Sequence, residues 1–221
     1  MTRMLRAGVS LFLAVLFVTS SITCLAAAPK TSAASFVLME AESGRVIASG
    51  NELQERSIAS TTKIMTCLVA LEHSALEEQV TVARAHLREG SSMYLAEGET
   101  LTMEELLYGL MLPSGNDAAE CIADHCGGEG GSRQFVAWMN EKAKMLGMTR
   151  TAFANPSGLD EAGHRSCALD MARLAAYAMR DPTFTRIAST RTARVGARTM
   201  TNHNKLLAKY PGCIGLKTGY T

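Results

Sequence analysis

The chain has 221 residues, which is long enough for one sizeable domain or two small ones. Its 22 basic residues balance its 21 acidic residues, so the charge gives no indication of a nucleic-acid partner. A hydrophobic content of 47% indicates a globular core and excludes a largely disordered chain.

The first residues of the chain have the pattern of an export signal. Two arginines precede an apolar run at 9–18, and small residues follow up to Ala28. This basic, apolar and then small-residue order is typical of a secretory signal peptide. We therefore predict removal of residues 1–28, with cleavage after Ala34 as the alternative. The apolar run is short for a membrane span, which disfavours an uncleaved anchor.

Residues 35–49 predict a hairpin, because two apolar runs flank Glu42-Ser43-Gly44. Apolar residues at helical spacing then predict a helix with a wide buried face that starts near Ser60. A short extended piece at 80–82 and a polar loop at 90–100 come next.

Several helices are predicted in the middle of the chain. The first, at 101–112, has Thr102 as its cap and acidic residues in its first turn, and Pro113 ends it. Further helices are predicted at 118–126, at a segment with Trp138 on its apolar face that ends at Gly147, and at 169–179, before Asp181-Pro182. Extended pieces are predicted at 191–195 and 215–221. A hairpin, many helices and then strands indicate an α+β architecture with a helical layer between sheet segments.

Five cysteines lie beyond the predicted signal peptide, an odd number at irregular spacing. This set is not a disulfide framework, and no pair has the spacing of a zinc site. We expect most of the thiols to be small core residues. A bridge between Cys121 and Cys126 is an alternative that would distort the helix predicted there.

The histidines are predicted to have no catalytic part. His164 and His203 are predicted to be structural or on the surface, because no nucleophile motif in the sequence needs them. His73 and His86 lie among charged residues and are predicted to be solvated.

Ser60 and Lys63 form a Ser-x-x-Lys motif at the start of the first predicted helix. Residues three apart share a face of one turn. A serine hydroxyl is a poor nucleophile at neutral pH and needs a base, which a lysine supplies when burial or nearby positive charge lowers its pKa. The motif is weak alone, because the same residues also suit a helix start beside a solvated lysine.

Two more motifs follow, Ser114-Gly115-Asn116 in a loop between predicted helices and Lys217-Thr218-Gly219 in the last predicted strand. Separately, the first is also compatible with a capping turn and the second with an edge strand that carries a surface lysine. Together and in this order, the three motifs are the signature set of penicillin-recognising serine enzymes. Gly115 stands where that set has an aspartate.

From about residue 35 to its end, the chain resembles the low-molecular-mass penicillin-binding proteins, specifically the serine D-alanyl-D-alanine carboxypeptidases. The resemblance is carried by ASTTKIMT (59–66), LMLPSGNDAA (110–119), FANPSGLD (153–160), the stretch around Asp170, TNHNKLL (201–207) and GLKTGYT (215–221). It implies the penicillin-binding protein and serine β-lactamase-like fold, which has an antiparallel sheet and a helical subdomain. It places a catalytic domain at 35–221.

The resemblance implies acyl transfer on a peptidoglycan stem peptide ending in D-Ala-D-Ala. Ser60 would form an ester with the penultimate D-alanine as the terminal D-alanine leaves. Lys63 would take the Ser60 proton, and Ser114 would relay it to the leaving amine. Asn116 would bind both Lys63 and a substrate amide.

The third motif would hold the other end of the substrate. By the same resemblance, Lys217 and Thr218 would bind the terminal carboxylate, and Gly219 would let the substrate approach closely. The backbone amides of Ser60 and Tyr220 would form the oxyanion hole. β-Lactam antibiotics would be covalent inhibitors, the enzyme would act outside the cytoplasm, and no cofactor or metal is implied.

The family has two further sheet strands and a C-terminal helix after its Lys-Thr-Gly strand, and the sequence stops at Thr221. We therefore expect the catalytic domain to be incomplete here, with membrane association only through a C-terminal tail beyond this chain. Two alternatives stay open. One is a serine β-lactamase, for which Glu161 lies in a suitable loop but outside a matching motif. The other is a catalytically dead, truncated homologue.

Overall fold

The described part of the chain begins with a hairpin. In the computed structural model, which describes residues 30–220, β1 (Phe36–Met39) pairs antiparallel with β2 (Val46–Gly50). The Glu40 carboxylate accepts hydrogen bonds from the backbone N–H groups of the turn that joins the strands. The predicted hairpin is confirmed. The predicted signal peptide at 1–28 lies outside the described residues.

Helices form most of the body and pack around α1 (Lys63–His73). Because α1 carries apolar residues on most of its surface, it is buried along nearly its whole length. The helices that contact it are α2 (Met103–Met111), α3 (Asn116–Gly127), α4 (Gly131–Met145), α5 (Ala168–Ala178) and α6 (Pro182–Ser189). Their apolar faces join in one core, which also includes strand residues such as Val80 and Met200.

A second strand pair lies where only one extended piece is predicted. β3 (Gln79–Thr81) pairs antiparallel with β4 (Thr100–Thr102), so the first residues of the predicted 101–112 helix are in a strand. Thr102 has extended backbone angles and caps α2, because its hydroxyl accepts from Glu105 N while the Glu105 carboxylate accepts from Thr102 N. The cap is confirmed, and the helix begins after it.

The Asp181-Pro182 pair begins a helix that the sequence analysis missed. Asp181 accepts hydrogen bonds from the N–H groups of Thr183 and Phe184, and Pro182 occupies the first helical position of α6. The helix is followed by β5 (Thr192–Val195), which pairs with β6 (Arg198–Thr201), and by the short α7 (Leu206–Lys209). The extended piece predicted at 191–195 is confirmed.

The strand predicted at 215–221 is wrong over its described residues, since 211–220 contain no strand. Within residues 30–220 the strands form three separate antiparallel pairs, β1-β2, β3-β4 and β5-β6. A strand needs a neighbour for its backbone N–H and C=O groups, and the described residues offer none to this segment.

The thiols of Cys67, Cys121, Cys126, Cys167 and Cys213 are all free, so α3 is not distorted by a bridge. Residues 33–220 belong to one compact unit. The domain boundary at residue 35 stays a prediction. Across residues 30–220, no helix has both the length and the apolar character that a membrane crossing requires.

Candidate active site

Ser60 lies in a 3-10 turn, Ala59–Thr62, that leads directly into α1. The sequence analysis places it in the first turn of the helix, and the actual turn is tighter. Ala59, just before the serine, has a φ of 44°, which is unfavourable for a residue with a Cβ. The Ile58 carbonyl accepts from both the N–H and the hydroxyl of Thr61 and so holds the turn in place.

Lys63 is fully buried and has three oxygen neighbours. Its Nζ lies 3.1 Å from Ser60 Oγ, 2.8 Å from Asn116 Oδ1 and 2.5 Å from the Ser157 carbonyl oxygen. The structure therefore brings Ser60, Lys63 and Asn116 together, as the motifs predict. We call these three residues and Ser157 the lysine pocket.

Burial lowers the pKa of Lys63 to about 7, because the ammonium form loses its hydration. The positive charge of Lys217 lowers this pKa further, while the carboxylates of Asp117 and Glu120 act in the opposite direction. A pKa in this range makes the uncharged amine accessible at neutral pH, which a proton acceptor requires.

The Ser157 carbonyl is delivered by a turn that fits only with glycine. Asn155 Oδ1 accepts from Gly158 N, and Gly158 has a φ of 85°. A Cβ on Gly158 would lie 2.0 Å from the Ala59 carbonyl oxygen, so the two turns are in direct contact. Thr66 Oγ1 also donates to the Pro156 carbonyl. The sequence analysis singles out the segment FANPSGLD (153–160) but not its contact with Lys63.

His164 is buried and links the Ala59–Thr62 turn to the segment that precedes the 155–158 turn. Ala154 N donates to its Nδ1, so the neutral ring carries its proton on Nε2 and donates it to Thr62 Oγ1 over 2.7 Å. Burial lowers the pKa of His164 and so favours this neutral form. This agrees with its predicted structural role.

The prediction for His86 is wrong. Its ring is buried, accepts from Ala83 N and contacts Asp124 Oδ2 at 3.0 Å, because the 3-10 turn that carries it directs the ring toward α3. His73 and His203 are exposed, as predicted.

The second motif forms the N-terminus of α3. Ser114 has a φ of 68°, and its buried hydroxyl has no hydrogen-bond partner among residues 30–220. A Cβ on Gly115 would lie 2.7 Å from Asp117 Oδ1, which explains why a larger residue is absent there. Asn116 donates from Nδ2 to the Glu89 carbonyl while its Oδ1 faces Lys63. No described hydrogen bond joins Ser114 to Lys63, so the predicted relay contact is not present.

Asp117 is a positioning residue that the sequence analysis missed. Its buried carboxylate accepts from Ser92 Oγ at 2.5 Å, and from Met93 N and Leu95 N at 3.1 Å each. These bonds fasten the 91–95 loop to α3, next to Asn116. An acidic residue in the first turn of a helix was the available signal.

The third motif lies beside the Ser60 turn without hydrogen bonds to it. Lys217 is half-buried, its Nζ donates to the Thr218 carbonyl, and burial lowers its pKa to about 8. A Cβ on Gly219 would lie 3.1 Å from the Ile58 carbonyl oxygen, so the backbone passes close to that turn. The side chains of Thr218 and Tyr220 are exposed.

Glu161, the residue weighed for a β-lactamase, is exposed and accepts a hydrogen bond from Asn155 Nδ2. No hydrogen bond within residues 30–220 joins its side chain to Ser60 or Lys63. Over the same residues, His, Cys, Asp and Glu side chains form no group that could hold a metal ion.

The sequence matches a family model described as D-alanyl-D-alanine carboxypeptidase over residues 22–221. Among curated proteins, the D-alanyl-D-alanine carboxypeptidase DacF of Bacillus subtilis is 38% identical over 200 residues, which cover 86% of this chain and 51% of DacF. DacB2 of Mycobacterium tuberculosis is 36% identical, with 87% of this chain and 68% of that protein covered. The chain spans about half the length of DacF.

Solved structures show the same architecture. A D-alanyl-D-alanine carboxypeptidase from Mycobacterium tuberculosis superposes with a TM-score of 0.83 and 35% identity, covering 88% of this chain and 75% of that one. A Streptomyces DD-transpeptidase superposes with a TM-score of 0.84 and 32% identity, covering 88% and 82%. The fold class predicted from the motifs is confirmed.

Proposed function

Since this chain belongs to the D-alanyl-D-alanine carboxypeptidase family, we propose that it removes the terminal D-alanine from peptidoglycan stem peptides. Ser60 Oγ attacks the carbonyl carbon of the penultimate D-alanine, the C–N bond breaks, and D-alanine leaves with the proton that its nitrogen needs. Water then hydrolyses the Ser60 ester. The single observation that carries the proposal is the arrangement of acceptors around Lys63.

Two of the three neighbours of Lys63 are carbonyl oxygens, from Asn116 and Ser157, which only accept hydrogen bonds. A neutral lysine amine has two N–H groups and one lone pair. When both N–H groups point at the carbonyls, the lone pair is left for the Ser60 hydroxyl 3.1 Å away. The pocket thus orients Lys63 as the base for the nucleophile, and its pKa of about 7 supplies the neutral form.

Ser114 is the proposed relay of the proton to the leaving amine, and because no described hydrogen bond joins it to Lys63, the relay requires its hydroxyl to turn toward Lys63 when substrate binds. Its hydroxyl is buried without a partner among the described residues, which is unfavourable for a polar group. A bound substrate would supply that partner, so substrate binding removes a penalty present in the free protein. Asn116 keeps its Nδ2 on the Glu89 carbonyl and therefore acts mainly on Lys63.

The third motif is the proposed anchor for the carboxylate of the terminal D-alanine. Lys217 supplies the cation and Thr218 a hydroxyl donor. Gly219 keeps the backbone close to the Ser60 turn. The backbone N–H groups of Ser60 and Tyr220 form the oxyanion hole, and such donors contribute roughly 3 kcal/mol each.

β-Lactam antibiotics are the proposed covalent inhibitors, because they present a reactive carbonyl and a carboxylate to the same groups. Peptidoglycan lies outside the cytoplasmic membrane, so the proposed substrate requires export. The signal peptide predicted at 1–28 supports export and extracytoplasmic action.

Labelling with a fluorescent penicillin tests the nucleophile. We expect the chain to form a stable covalent adduct, Ser60→Ala to form none, and Ser189→Ala, which changes a serine on α6, to label like the parent. Release of D-alanine from a peptide ending in D-Ala-D-Ala should follow the same order. Labelling that survives Ser60→Ala would contradict the proposal, and rapid turnover of penicillin would instead favour a β-lactamase.

A further inference from the structure

The stretch TNHNKLL (201–207) carries part of the family resemblance, yet the reaction proposed above uses none of its side chains. Its residues Asn202–Asn204 connect β6 to α7, and we call them the asparagine turn. Asn202 Oδ1 accepts from Asn204 N over 2.9 Å, and Asn204 Oδ1 accepts from Leu206 N over 3.1 Å. Each amide side chain thus holds the backbone two residues further on, which fixes the shape of the turn.

On one side, the asparagine turn is fastened to the helical core. Asn202 Nδ2 donates to the carbonyls of Ala188 and Thr190, at the end of α6, over 3.3 and 3.0 Å. His203 N donates over 3.2 Å to the carbonyl of Leu112, directly after α2. Leu112 is fully buried, and the loop that follows it carries the second motif. The turn therefore has a set position relative to that motif.

On its other side, the turn holds the residue that precedes the third motif. Asn204 is only 8% exposed, and its Nδ2 donates to the Leu216 carbonyl over 3.4 Å, which is long for a hydrogen bond. Among residues 30–220, this carbonyl is the only acceptor for that amide group. A buried donor without an acceptor is unfavourable, so Asn204 favours the position of Leu216 in which the bond forms. The Leu216 side chain also packs against the core.

Lys217 and Thr218, the proposed carboxylate anchor, lie between two supports. The asparagine turn holds the residue before them, and the backbone of Gly219, after them, passes close to the Ser60 turn. Burial lowers the pKa of His203, and the positive charge of Lys217 lowers it further, which shows that the ammonium lies near the asparagine turn. Without the first support, the anchor would be held at one end only.

We propose that Asn204 is the positioning residue of the carboxylate anchor. By holding the Leu216 carbonyl, it places Lys217 and Thr218 where the carboxylate of the terminal D-alanine binds. Asn204 acts through these residues and touches no substrate, so its effect is confined to ligands with a free terminal carboxylate. The inference rests on the proposed function, because it assigns how the same site recognises its substrate.

Binding of two peptides to the full chain carrying Ser60→Ala, measured by calorimetry, tests this inference. Both peptides end in D-Ala-D-Ala, one with a free carboxylate and the other with a C-terminal amide. We expect the carboxylate peptide to bind about tenfold more tightly. Asn204→Ser should reduce that ratio to about twofold or less, because a serine hydroxyl can still accept from Leu206 N but does not reach the Leu216 carbonyl.

Asn140→Ser is the matched control. Asn140 is half-buried and bonds to the backbone of Val136 and Phe153, and none of its hydrogen bonds reaches the segment 215–220. This variant should lower the free energy of unfolding in urea and keep the ratio of affinities. If Asn204→Ser does not fold, Asn204→Asp carries the same expectation, because it keeps the side-chain shape and the acceptor for Leu206 N.

Equal affinities of the two peptides without a change at Asn204, or a ratio that survives in a folded Asn204 variant, would overturn the assignment. Penicillin labelling of the chain with Ser60 intact separates this result from the proposed reaction. A chain that labels but keeps its ratio in the Asn204 variants refutes the positioning role alone. A chain that does not label but loses its ratio in those variants refutes the reaction alone.

Discussion

The lysine pocket and the segment 215–220 belong to one proposed site but are built in different ways. Lys63, Asn116 and Ser157 are buried, and the hydrogen bonds that join them connect parts of the chain 53 and 94 positions apart, while half-buried Ser60 lies beside Lys63. The segment is half-buried at 215–217 and exposed at 218–220, the Leu216 carbonyl accepts from Asn204 Nδ2, and Lys217 donates only to its own neighbour. The groups for proton transfer are thus fixed in the core, whereas no hydrogen bond among residues 30–220 joins the carboxylate anchor to the Ser60 turn, which it meets through the close approach of the Gly219 backbone.

Gly158→Ala should have the largest effect, because its Cβ would meet the Ala59 carbonyl at 2.0 Å and Thr62 Oγ1 at 2.9 Å. We expect a loss of about 3 kcal/mol in the free energy of unfolding, measured by urea denaturation, and loss of penicillin labelling. Gly163→Ala is the matched control, since Gly163 has the same φ of 85° with open space around it. Equal losses in both variants would show that the positive φ angle, and not the contact with Ala59, causes the loss of stability.

Asp117→Asn should have the second-largest effect on the free energy of unfolding. The new Nδ2 group cannot accept from Leu95 N, so at least one buried hydrogen bond is lost, at about 2 kcal/mol in the free energy of unfolding. Asp124→Asn on the same helix is the control, because that side chain is 55% exposed and its amide oxygen can still accept from His86. If the two variants were equally stable, Asp117 would not hold the 91–95 loop.

The pH profile of penicillin acylation tests the electrostatic link between the two regions. Lys63 must lose its proton, so the rate should rise as the pH increases through about 7. Lys217 must keep its proton, so the rate should fall as the pH increases through about 8. The expected profile is a narrow bell between these values.

Lys217→Gln removes a positive charge near Lys63, and the pKa of Lys63 should therefore increase. The rising limb should move to higher pH, and the falling limb at about 8 should disappear. Lys209→Gln, at an exposed lysine on α7, should leave both limbs in place. A rising limb that stays at the same pH in Lys217→Gln would show that the two lysines do not interact.

Gly219→Ala should have the smallest effect on folding. Its Cβ would lie 3.1 Å from the Ile58 carbonyl and 3.3 Å from Thr61 Cγ2, so small shifts of an exposed segment can accommodate it. We expect acylation to slow by less than about tenfold, because the anchor moves relative to Ser60. Urea denaturation should show a change within about 0.5 kcal/mol. A loss of unfolding free energy as large as that of Gly158→Ala would show that the segment 215–220 is packed as tightly as the lysine pocket.

Local patterns predicted α1 to α5 and the three motifs, since apolar spacing and motif order are properties of the sequence itself. The predicted boundaries of helices and strands were wrong where one residue has two structural roles. Thr102 ends a strand and caps a helix, and Asp181 follows one helix and caps the next. Each was assigned a single role, so β4 and α6 were missed.

Other features depend on partners far along the chain. The Ser157 carbonyl contacts Lys63, which lies 94 positions earlier in the sequence. Nothing in the sequence of the 155–158 turn shows where that carbonyl points. Asp117 bonds to a loop more than 20 positions away. The segment 215–221 was predicted to be extended, but a strand exists only with a neighbour, and the residues described here offer it none.

The free thiols have a practical consequence for handling the protein. Burial raises the pKa of Cys121 and of Cys126 to about 12, and it also raises the pKa of Cys67 and Cys167. Thiolate is the form that oxidants and alkylating reagents attack, and it is scarce at these four positions at neutral pH. Because the five cysteines among residues 30–220 form no disulfide, the lysine pocket assembles without an oxidation step, and reducing agent in refolding or assay breaks no bond in that part of the chain.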